Sequence, residues 1–133
     1  LRVWEKFFRQ SNIYAFDIDD LNFVGNGRIR AGVADQMDES QVERCMKQFG
    51  DPSFSIVIDD GLHTPGANQK AFGNVRRWLA PGAMYIIEDI HSSNLKEMAR
   101  WAKQLSLNYC FYISDKWEQE NSNLMVIYNG GFE

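Results

Sequence analysis

The feature that most constrains this chain is the alternation of short apolar, β-rich runs with longer segments of helical periodicity. The apolar runs lie at 12–18, 28–33, 53–59 and 83–89 and read NIYAFDI, RIRAGV, SFSIVID and AMYIIED. Segments with helical spacing lie at 38–50, 66–82 and 94–107. This alternation is typical of an α/β fold with a mostly parallel sheet, and apolar runs without polar alternation indicate strands buried on both faces.

Local signals predict where the helices begin and end. The opening residues, LRVWEKFFRQ, carry apolar side chains at helical spacing. In the segment 38–50, Asp38 or Ser40 is expected to cap the helix and Gly50 to close it. The helix of segment 66–82 is predicted to stop at Pro81 and Gly82.

The last two apolar runs, at 108–114 and 123–128, have no helix between them, only the polar, turn-rich stretch 115–122. They are therefore predicted to form an antiparallel pair at the end of the sheet. The chain shows no internal repeat and no low-complexity linker, and 133 residues are too few for two domains of ordinary size. Residues 1–133 are expected to form a single domain.

Composition excludes several classes of function. With 14 Lys and Arg against 18 Asp and Glu the net charge is −4 and no basic cluster exists, which disfavours nucleic-acid binding. No apolar run is long enough for a membrane span, and the first residues lack the apolar core of a signal peptide. Cys45 and Cys110 stand alone, so neither a disulfide scaffold nor a Cys-rich zinc site is expected. A cytoplasmic protein without membrane contact is predicted.

Carboxylates follow three of the predicted strands, where ligands bind in open α/β sheets. Asp17 directly follows the first apolar run and is placed to accept hydrogen bonds from a ribose diol. Asp19 and Asp20 are interpreted as turn or cap residues. The other two groups are the segments IVIDDGLH and IIEDIHSS.

In IVIDDGLH the strand ends in Asp59 and Asp60, Gly61 permits a tight turn, and His63 follows. Adjacent strand residues point in different directions, so one carboxylate can bind a metal while the other caps the turn; strand register decides which. His63 is a candidate general base, because histidine is the side chain most often used to transfer protons at physiological pH.

In IIEDIHSS the acids are Glu88 and Asp89, with His91 interpreted as a surface residue. Acids at the ends of neighbouring strands converge, so Asp60, Glu88 and Asp89 together would offer an oxygen-rich site for Mg²⁺ or Mn²⁺. Zinc would require more grouped His or Cys.

The order IYAFDID, ADQMD, FSIVIDDGLHTP and LAPGAMYIIEDIHSS resembles the class I S-adenosylmethionine-dependent methyltransferases, which have a Rossmann-like fold. More closely, it is similar to the metal-dependent sugar O-methyltransferases of macrolide and anthracycline biosynthesis, the macrocin and mycinamicin type, related to proteins labelled cephalosporin hydroxylase. The specific part is DDGLH followed by PGAMYIIEDIH. Leu62 and Ala83 depart mildly from the Ser and Gly usual in that family.

The resemblance implies a role for each acid. Asp17 would hold the ribose of S-adenosylmethionine, with Asp35 and Gln36 near the adenine and Asp59 also on the cofactor side. The implied metal ligands are Asp60, Glu88 and Asp89, and His63 would take the proton from a sugar hydroxyl. The implied acceptor is a sugar-containing small molecule, and a homo-oligomer is possible in such a family.

The family usually opens with a central strand and a Gly-rich loop, and no segment of this kind precedes Leu1. The chain is therefore expected to be an N-terminally truncated methyltransferase domain. Otherwise the strands flanking the gap would pair directly, or a second chain would fill it.

Two alternatives stay open at this point. FDIDD followed by VIDD resembles the nucleophile and metal acids of haloacid-dehalogenase-type phosphatases, although Leu21 and Asn22 do not fit that motif. The chain is otherwise an inactive methyltransferase-fold fragment or an interaction module. A nicotinamide-dependent dehydrogenase is disfavoured, because no GxGxxG follows the first strand.

Overall fold

The computed structural model describes residues 1–20, 27–114 and 122–130, which divide into two compact units, Leu1–Pro52 and Ser53–Glu133. The described strands form two sheets, one of two strands and one of four, and the two sheets belong to different units. No described strand of one sheet pairs with a described strand of the other. The expectation of a single domain stays a prediction.

The N-terminal unit contains the helix α1 (Arg2–Phe7), the strands β1 (Ile13–Asp17) and β2 (Ile29–Val33), and the helix α2 (Glu39–Phe49). The strands β1 and β2 are parallel, with Ile13 opposite Ile29 and Asp17 opposite Val33. Arg28 connects this sheet to α1: its guanidinium donates to the carbonyls of Glu5, Phe8 and Ser11 at 3.2, 3.0 and 2.9 Å.

Helix α2 packs on β2 at a glycine. A Cβ on Gly32 would lie 2.6 Å from the Cys45 sulfur and 3.3 Å from the Phe49 ring, so only glycine permits this approach. The predicted ends of α2 are confirmed. The Asp38 carboxylate accepts hydrogen bonds from the backbone N–H groups of Ser40 and Gln41, and Gly50 closes the helix in the left-handed conformation at φ 89°.

The C-terminal unit holds a four-stranded sheet and two longer helices. Its strands are β3 (Phe54–Asp59), β4 (Leu79–Ile90), β5 (Asn108–Tyr112) and β6 (Asn123–Asn129), arranged in the order β3-β4-β6-β5. Helix α3 (Pro65–Val75) connects β3 to β4, and α4 (Leu95–Gln104) follows β4. Short 3₁₀ turns occupy Arg76–Trp78 and Ser92–Asn94.

The fold class predicted from the sequence is confirmed, with a mixed C-terminal sheet. Strands β3 and β4 are parallel, β5 and β6 form the expected antiparallel pair, and β6 also pairs antiparallel with β4. The polar stretch 115–121 between β5 and β6 lies outside the described residues. No helix in the described ranges is long and apolar enough to cross a bilayer.

The predicted end of the third helix is wrong. Helix α3 stops at Val75, and Leu79, Ala80, Pro81 and Gly82 belong to β4. The register between β3 and β4 shifts in this stretch, and Gly82 takes φ 76°, so Pro81 and Gly82 bend a strand instead of ending a helix.

The core of the C-terminal unit lies between its sheet and its helices. Tyr85 and Ile87 of β4 are fully buried, as is Met98 of α4. The Phe72 ring of α3 packs edge-to-face against Tyr85 and Trp101, with ring centroids 5.1 and 5.5 Å apart. This core fixes β3 and β4 side by side, which decides where their carboxyl ends lie.

Candidate functional site

The candidate site lies where β3 and β4 end. These strands are adjacent and parallel, and Asp59 stands opposite Ile87 in their register. The next residues, Asp60 just after β3 and Glu88 near the end of β4, therefore lie at the same level. Both strands present their carboxyl ends at one edge, which is where open α/β sheets bind ligands.

Three side chains meet at this edge: Asp60, His63 and Asp89. One carboxylate or imidazole atom from each lies within 4.8 Å of the others, and Nε2 of His63 is 4.0 Å from Oδ1 of Asp60. All three residues are exposed. Two carboxylates and an imidazole converge on one point from two strand ends.

The donor set fits a divalent cation. Mg²⁺ binds oxygen ligands at about 2.1 Å, which places neighbouring ligands about 3 Å apart and opposite ligands about 4 Å apart. The separations here are at most 4.8 Å, and exposed side chains can close the remaining distance by rotation. Two carboxylates favour a hard cation, and the single imidazole is compatible with Mn²⁺ as well.

Glu88 is half-buried beside this cluster. Burial raises the pKa of its carboxyl, and the negative charges of Asp60 and Asp89 raise it further, while His63 acts in the opposite sense. These charges therefore lie close enough to act on Glu88. The predicted ligand set was Asp60, Glu88 and Asp89; the structure groups Asp60 and Asp89 with His63 and places Glu88 next to them.

The turn that carries Asp60 and His63 is held from both ends. Thr64 caps α3 through a 3.4 Å hydrogen bond from the Ala67 backbone N–H, and Pro65 occupies the first turn, where its missing N–H costs nothing. Leu62 accepts a hydrogen bond from the Thr64 backbone N–H at 2.7 Å. His63 therefore precedes a firmly capped helix.

Asp59, the neighbour of Asp60, has a different environment. It is only 6% exposed, and its Oδ2 accepts hydrogen bonds from the Tyr85 hydroxyl at 3.1 Å and the Asn68 amide at 3.3 Å. Burial raises the pKa of Asp59, and these hydrogen bonds together with the Gly61 backbone N–H lower it. Burial and the adjacent Asp59 also raise the pKa of Tyr85. Asp59 thus ties β3 to α3 and β4.

Asp89 has an unusual backbone, with φ 52°. Left-handed backbone is uncommon outside glycine, and Asp tolerates it better than most residues. The β4–β6 register shifts at this place, between Ile87 and Ile90. Strand β4 is thus irregular at Asp89, one residue before its end at Ile90.

His91, interpreted from the sequence as a surface residue, is half-buried and caps the following turn. Its Nδ1 accepts from the Ser93 backbone N–H at 3.2 Å and lies 2.7 Å from the Ser93 hydroxyl.

The acids predicted to bind cofactor in the N-terminal unit are engaged in local turns. Oδ1 of the exposed Asp17 accepts from the Asp19 backbone N–H at 3.1 Å. Oδ1 of Asp35 accepts from the Met37 backbone N–H at 2.8 Å, and Gln36 beside it is half-buried. Leu21 and Asn22, which do not fit the phosphatase motif, lie outside the described residues.

Sequence reasoning missed two residues that support the site, Asn68 and Tyr85. Both are polar side chains within apolar stretches, AMYIIED for Tyr85 and the buried face of α3 for Asn68. A polar group inside a predicted core segment requires a partner, and that was the available signal.

Searches for relatives find proteins of one kind. The chain is 38% identical over 90 residues to mycinamicin VI 2''-O-methyltransferase of Micromonospora griseorubida, which covers 68% of this chain and 22% of that protein. It is 34% identical over 93 residues to 8-demethyl-8-alpha-L-rhamnosyl tetracenomycin-C 2'-O-methyltransferase of Streptomyces olivaceus, covering 70% and 24%. No family model matches the sequence. The chain spans less than a quarter of the length of these curated relatives.

Solved structures show which fold the chain shares. A methyltransferase from the mycinamycin biosynthetic pathway, in complex with Mg, SAH and mycinamycin VI, matches with a TM-score of 0.72 at 23% identity, over 97% of this chain and 39% of that chain. The same enzyme with Mg and SAH matches with a TM-score of 0.68 at 25% identity, over 97% and 40%.

The fold is that of the S-adenosylmethionine-dependent methyltransferases, which confirms the fold expected from the sequence. Over the matched residues the chain is similar to O-methyltransferases that act on mycinamicin, tetracenomycin and macrocin compounds, as the sequence motifs indicated. This fold does not support the phosphatase alternative.

Proposed function

We propose that this chain is part of an S-adenosylmethionine-dependent O-methyltransferase that uses a divalent metal ion and acts on a sugar hydroxyl of a glycosylated small molecule. The observation that carries the proposal is the convergence of Asp60, His63 and Asp89 at the ends of β3 and β4. Support comes from the relatives, whose names describe methylation of macrolide and tetracenomycin products.

In this proposal Asp60, Glu88 and Asp89 hold Mg²⁺ or Mn²⁺. When bound, such an ion would supply Lewis-acid polarisation of a sugar hydroxyl and lower its pKa. Clustering of the acids supports the assignment, because Asp60 and Asp89 already raise the pKa of Glu88 and a cation would relieve that repulsion.

His63 is proposed as the general base that takes the proton from the acceptor hydroxyl. Its imidazole is 42% exposed, so it is accessible to an acceptor, and its Nε2 faces Oδ1 of Asp60 at 4.0 Å. A neutral imidazole beside a carboxylate can accept a proton, and the carboxylate stabilises the resulting cation. S-adenosylmethionine, when bound, would supply the methyl group: the O–CH3 bond forms as the S–CH3 bond breaks, and S-adenosylhomocysteine leaves. Asp60 and His63 would contribute by holding the acceptor hydroxyl in position.

The N-terminal unit is proposed to supply cofactor contacts. Asp17 would bind the ribose hydroxyls, since its exposed carboxylate ends a parallel strand, and Asp35 and Gln36 would lie near the adenine. Asp59 was also assigned to the cofactor. Its burial and its hydrogen bonds to Asn68 and Tyr85 favour a role in anchoring β3 to α3 and β4. A direct contact of Asp59 with the cofactor stays a prediction.

The first test is titration calorimetry with Mn²⁺ on the wild-type chain, Asp60→Asn and Glu97→Gln. Loss of a ligand is expected to weaken Mn²⁺ binding by roughly tenfold or more. Glu97 is an exposed acid of α4 and serves as the control, with unchanged affinity expected. Equal affinities in all three proteins would exclude the proposed metal site.

A second titration, of S-adenosylhomocysteine with and without Mg²⁺, tests the cofactor. Micromolar binding would support the methyltransferase assignment for this chain itself. A folded chain that binds neither cofactor nor metal would instead favour an inactive methyltransferase-fold piece.

The role of His63 is tested in a protein of the relatives' full length. His63→Ala is expected to lower kcat on a sugar-bearing acceptor while leaving the affinity for S-adenosylhomocysteine and Mn²⁺ nearly unchanged. A large loss of Mn²⁺ affinity would identify His63 as a metal ligand instead of the base.

A further inference from the structure

The acids of β4 lie in a β-bulge. Ile87 pairs with Met125 and Ile90 pairs with Asn123, so the two residues Glu88 and Asp89 face the single residue Leu124. Asp89 takes the left-handed conformation within this bulge. In a regular strand, consecutive side chains point to opposite faces, so the bulge is what permits Glu88 and Asp89 to serve the same site.

A buried amide closes the bulge on its far side. Asn123, the first residue of β6, is 1% exposed. Its Nδ2 donates to the Ile90 carbonyl at 2.8 Å and to the Ser92 hydroxyl at 3.3 Å, and its Oδ1 accepts from the Ser114 backbone N–H at 3.1 Å. One side chain thus connects the end of β4, the turn after it and Ser114, two residues after β5.

We propose that Asn123 is a positioning residue that holds the Glu88–Asp89 bulge, and thereby the carboxylates, in the geometry that binds the metal. The inference rests on the proposed function for its consequence, but the bulge itself can be observed without metal.

The backbone of Asp89 can be left-handed or extended, and the contacts around it decide which conformation it adopts. A non-glycine residue at φ 52° is strained and persists only when its surroundings determine it. On one side of the bulge the pair of Ile87 with Met125 supplies that constraint. On the other side stands Ile90, whose carbonyl is held by Asn123. Without the amide, Asp89 can relax towards an extended φ and turn its carboxylate away from Glu88 and Asp60.

A matched control exists at the opposite end of the same strand. Asn129, at the end of β6, also donates from Nδ2 to two carbonyls of β4, those of Leu79 at 3.1 Å and Ala80 at 2.8 Å. Both residues therefore clamp β4 through an amide, but Asn129 is exposed and contacts the beginning of the strand. If both amides had only a structural role, removing either one would have the same effect on metal binding.

The experiment compares Asn123→Ala with Asn129→Ala by two readouts. The ¹³Cα and ¹³Cβ chemical shifts of Asp89, recorded without metal, report its φ, and calorimetric titration with Mn²⁺ alone reports the site. Asn123→Ala is expected to move the Asp89 shifts away from left-handed values and to weaken Mn²⁺ binding by roughly tenfold, as for other groups that orient metal ligands. Asn129→Ala is expected to change neither. Asn123→Ser replaces Asn123→Ala if the latter does not fold.

The outcomes separate this inference from the proposed function. Left-handed Asp89 shifts and wild-type Mn²⁺ affinity in the Asn123 variant overturn the inference while the metal site stands. A wild-type chain that binds no Mn²⁺, but whose Asp89 shifts change in Asn123→Ala, overturns the proposed metal site and leaves the positioning of the bulge supported.

Discussion

The carboxyl ends of β1 and β3 both carry aspartates, and the two regions use them in opposite ways. In the N-terminal unit the acids bind their own turns: Asp17 accepts from the backbone two residues ahead, Asp35 does the same, and Asp38 caps α2. Each of these bonds spans three residues or fewer, counting the contact of Asp38 with Gln41.

In the C-terminal unit the acids depend on distant partners. Asp59 is held by Asn68 and Tyr85, nine and 26 residues away. Asp60 and Asp89, from different strands, stand together with His63 and remain exposed. A carboxylate that accepts hydrogen bonds from backbone N–H groups has its negative charge stabilised by them. Clustered carboxylates repel each other until a cation binds among them. The carboxylates of the first region are therefore stabilised by backbone N–H groups nearby in sequence, whereas the exposed cluster of the second region would be stabilised by a bound cation.

The largest effect on stability is expected at Asp59, the buried aspartate of the C-terminal unit. Tyr85→Phe removes one donor to the buried Asp59 carboxylate, and leaving such an acceptor under-satisfied costs about 1–3 kcal/mol of the free energy of unfolding. Urea denaturation measures it. Tyr112→Phe, at an exposed tyrosine of β5, is the control. Equal stability of the two variants would show that Asp59 does not depend on Tyr85.

A second prediction uses two aspartates with the same strained backbone. Asp51 in the N-terminal unit and Asp89 in the C-terminal unit have φ 50° and 52°. Glycine tolerates this conformation, so Asp51→Gly and Asp89→Gly are each expected to stabilise by roughly 0.5–1 kcal/mol. Only Asp89→Gly is expected to abolish Mn²⁺ binding. Loss of Mn²⁺ binding in both variants, measured by calorimetry, would contradict the division between the regions.

A third prediction concerns Asp17. Asp17→Asn keeps the oxygen that accepts from Asp19, so the stability should change by no more than about 0.5 kcal/mol, as for most exposed substitutions. Mn²⁺ affinity should also stay at the wild-type value, while binding of S-adenosylhomocysteine should weaken. Thermal melting and the two titrations measure this, and a loss of Mn²⁺ affinity would refute the assignment of the metal to the C-terminal unit.

The smallest effect is expected from acid titration of the α2 cap. Hydrogen bonds from Ser40 and Gln41 lower the pKa of Asp38 from its ordinary value of 3.8 to about 2. A lowered pKa stabilises the folded state above pH 3.8, and this contribution disappears as the pH falls through about 2. The stability difference between wild type and Asp38→Ala should therefore shrink between these pH values. A difference that stays constant on acidification, measured by circular dichroism, would exclude the carboxylate as the stabilising cap.

Much of the fold could be predicted from the sequence. Apolar periodicity placed the strands, and Asp38 and Gly50 marked the ends of α2 correctly because capping is local chemistry. Pro81 and Gly82 led to a wrong prediction for the end of α3, because proline and glycine end helices but also bend strands. The pairing of β4 with β3 places both residues in a strand.

The candidate site also has features that the local sequence predicts and features that depend on the tertiary structure. The local sequence was sufficient to predict that Asp59 and Asp60 lie at the end of β3 and that Glu88 and Asp89 lie near the end of β4, and parallel strands bring such acids to the carboxyl edge of a sheet. Only the tertiary structure decided that Asp59 is buried and Asp60 exposed, and that β6 opposes two residues of β4 with one and so bends Asp89 towards Asp60. Capping and periodicity act over a few residues and leave a local pattern. Register, bulges and buried amides such as Asn123 depend on strands distant in the chain, and no local pattern encodes them.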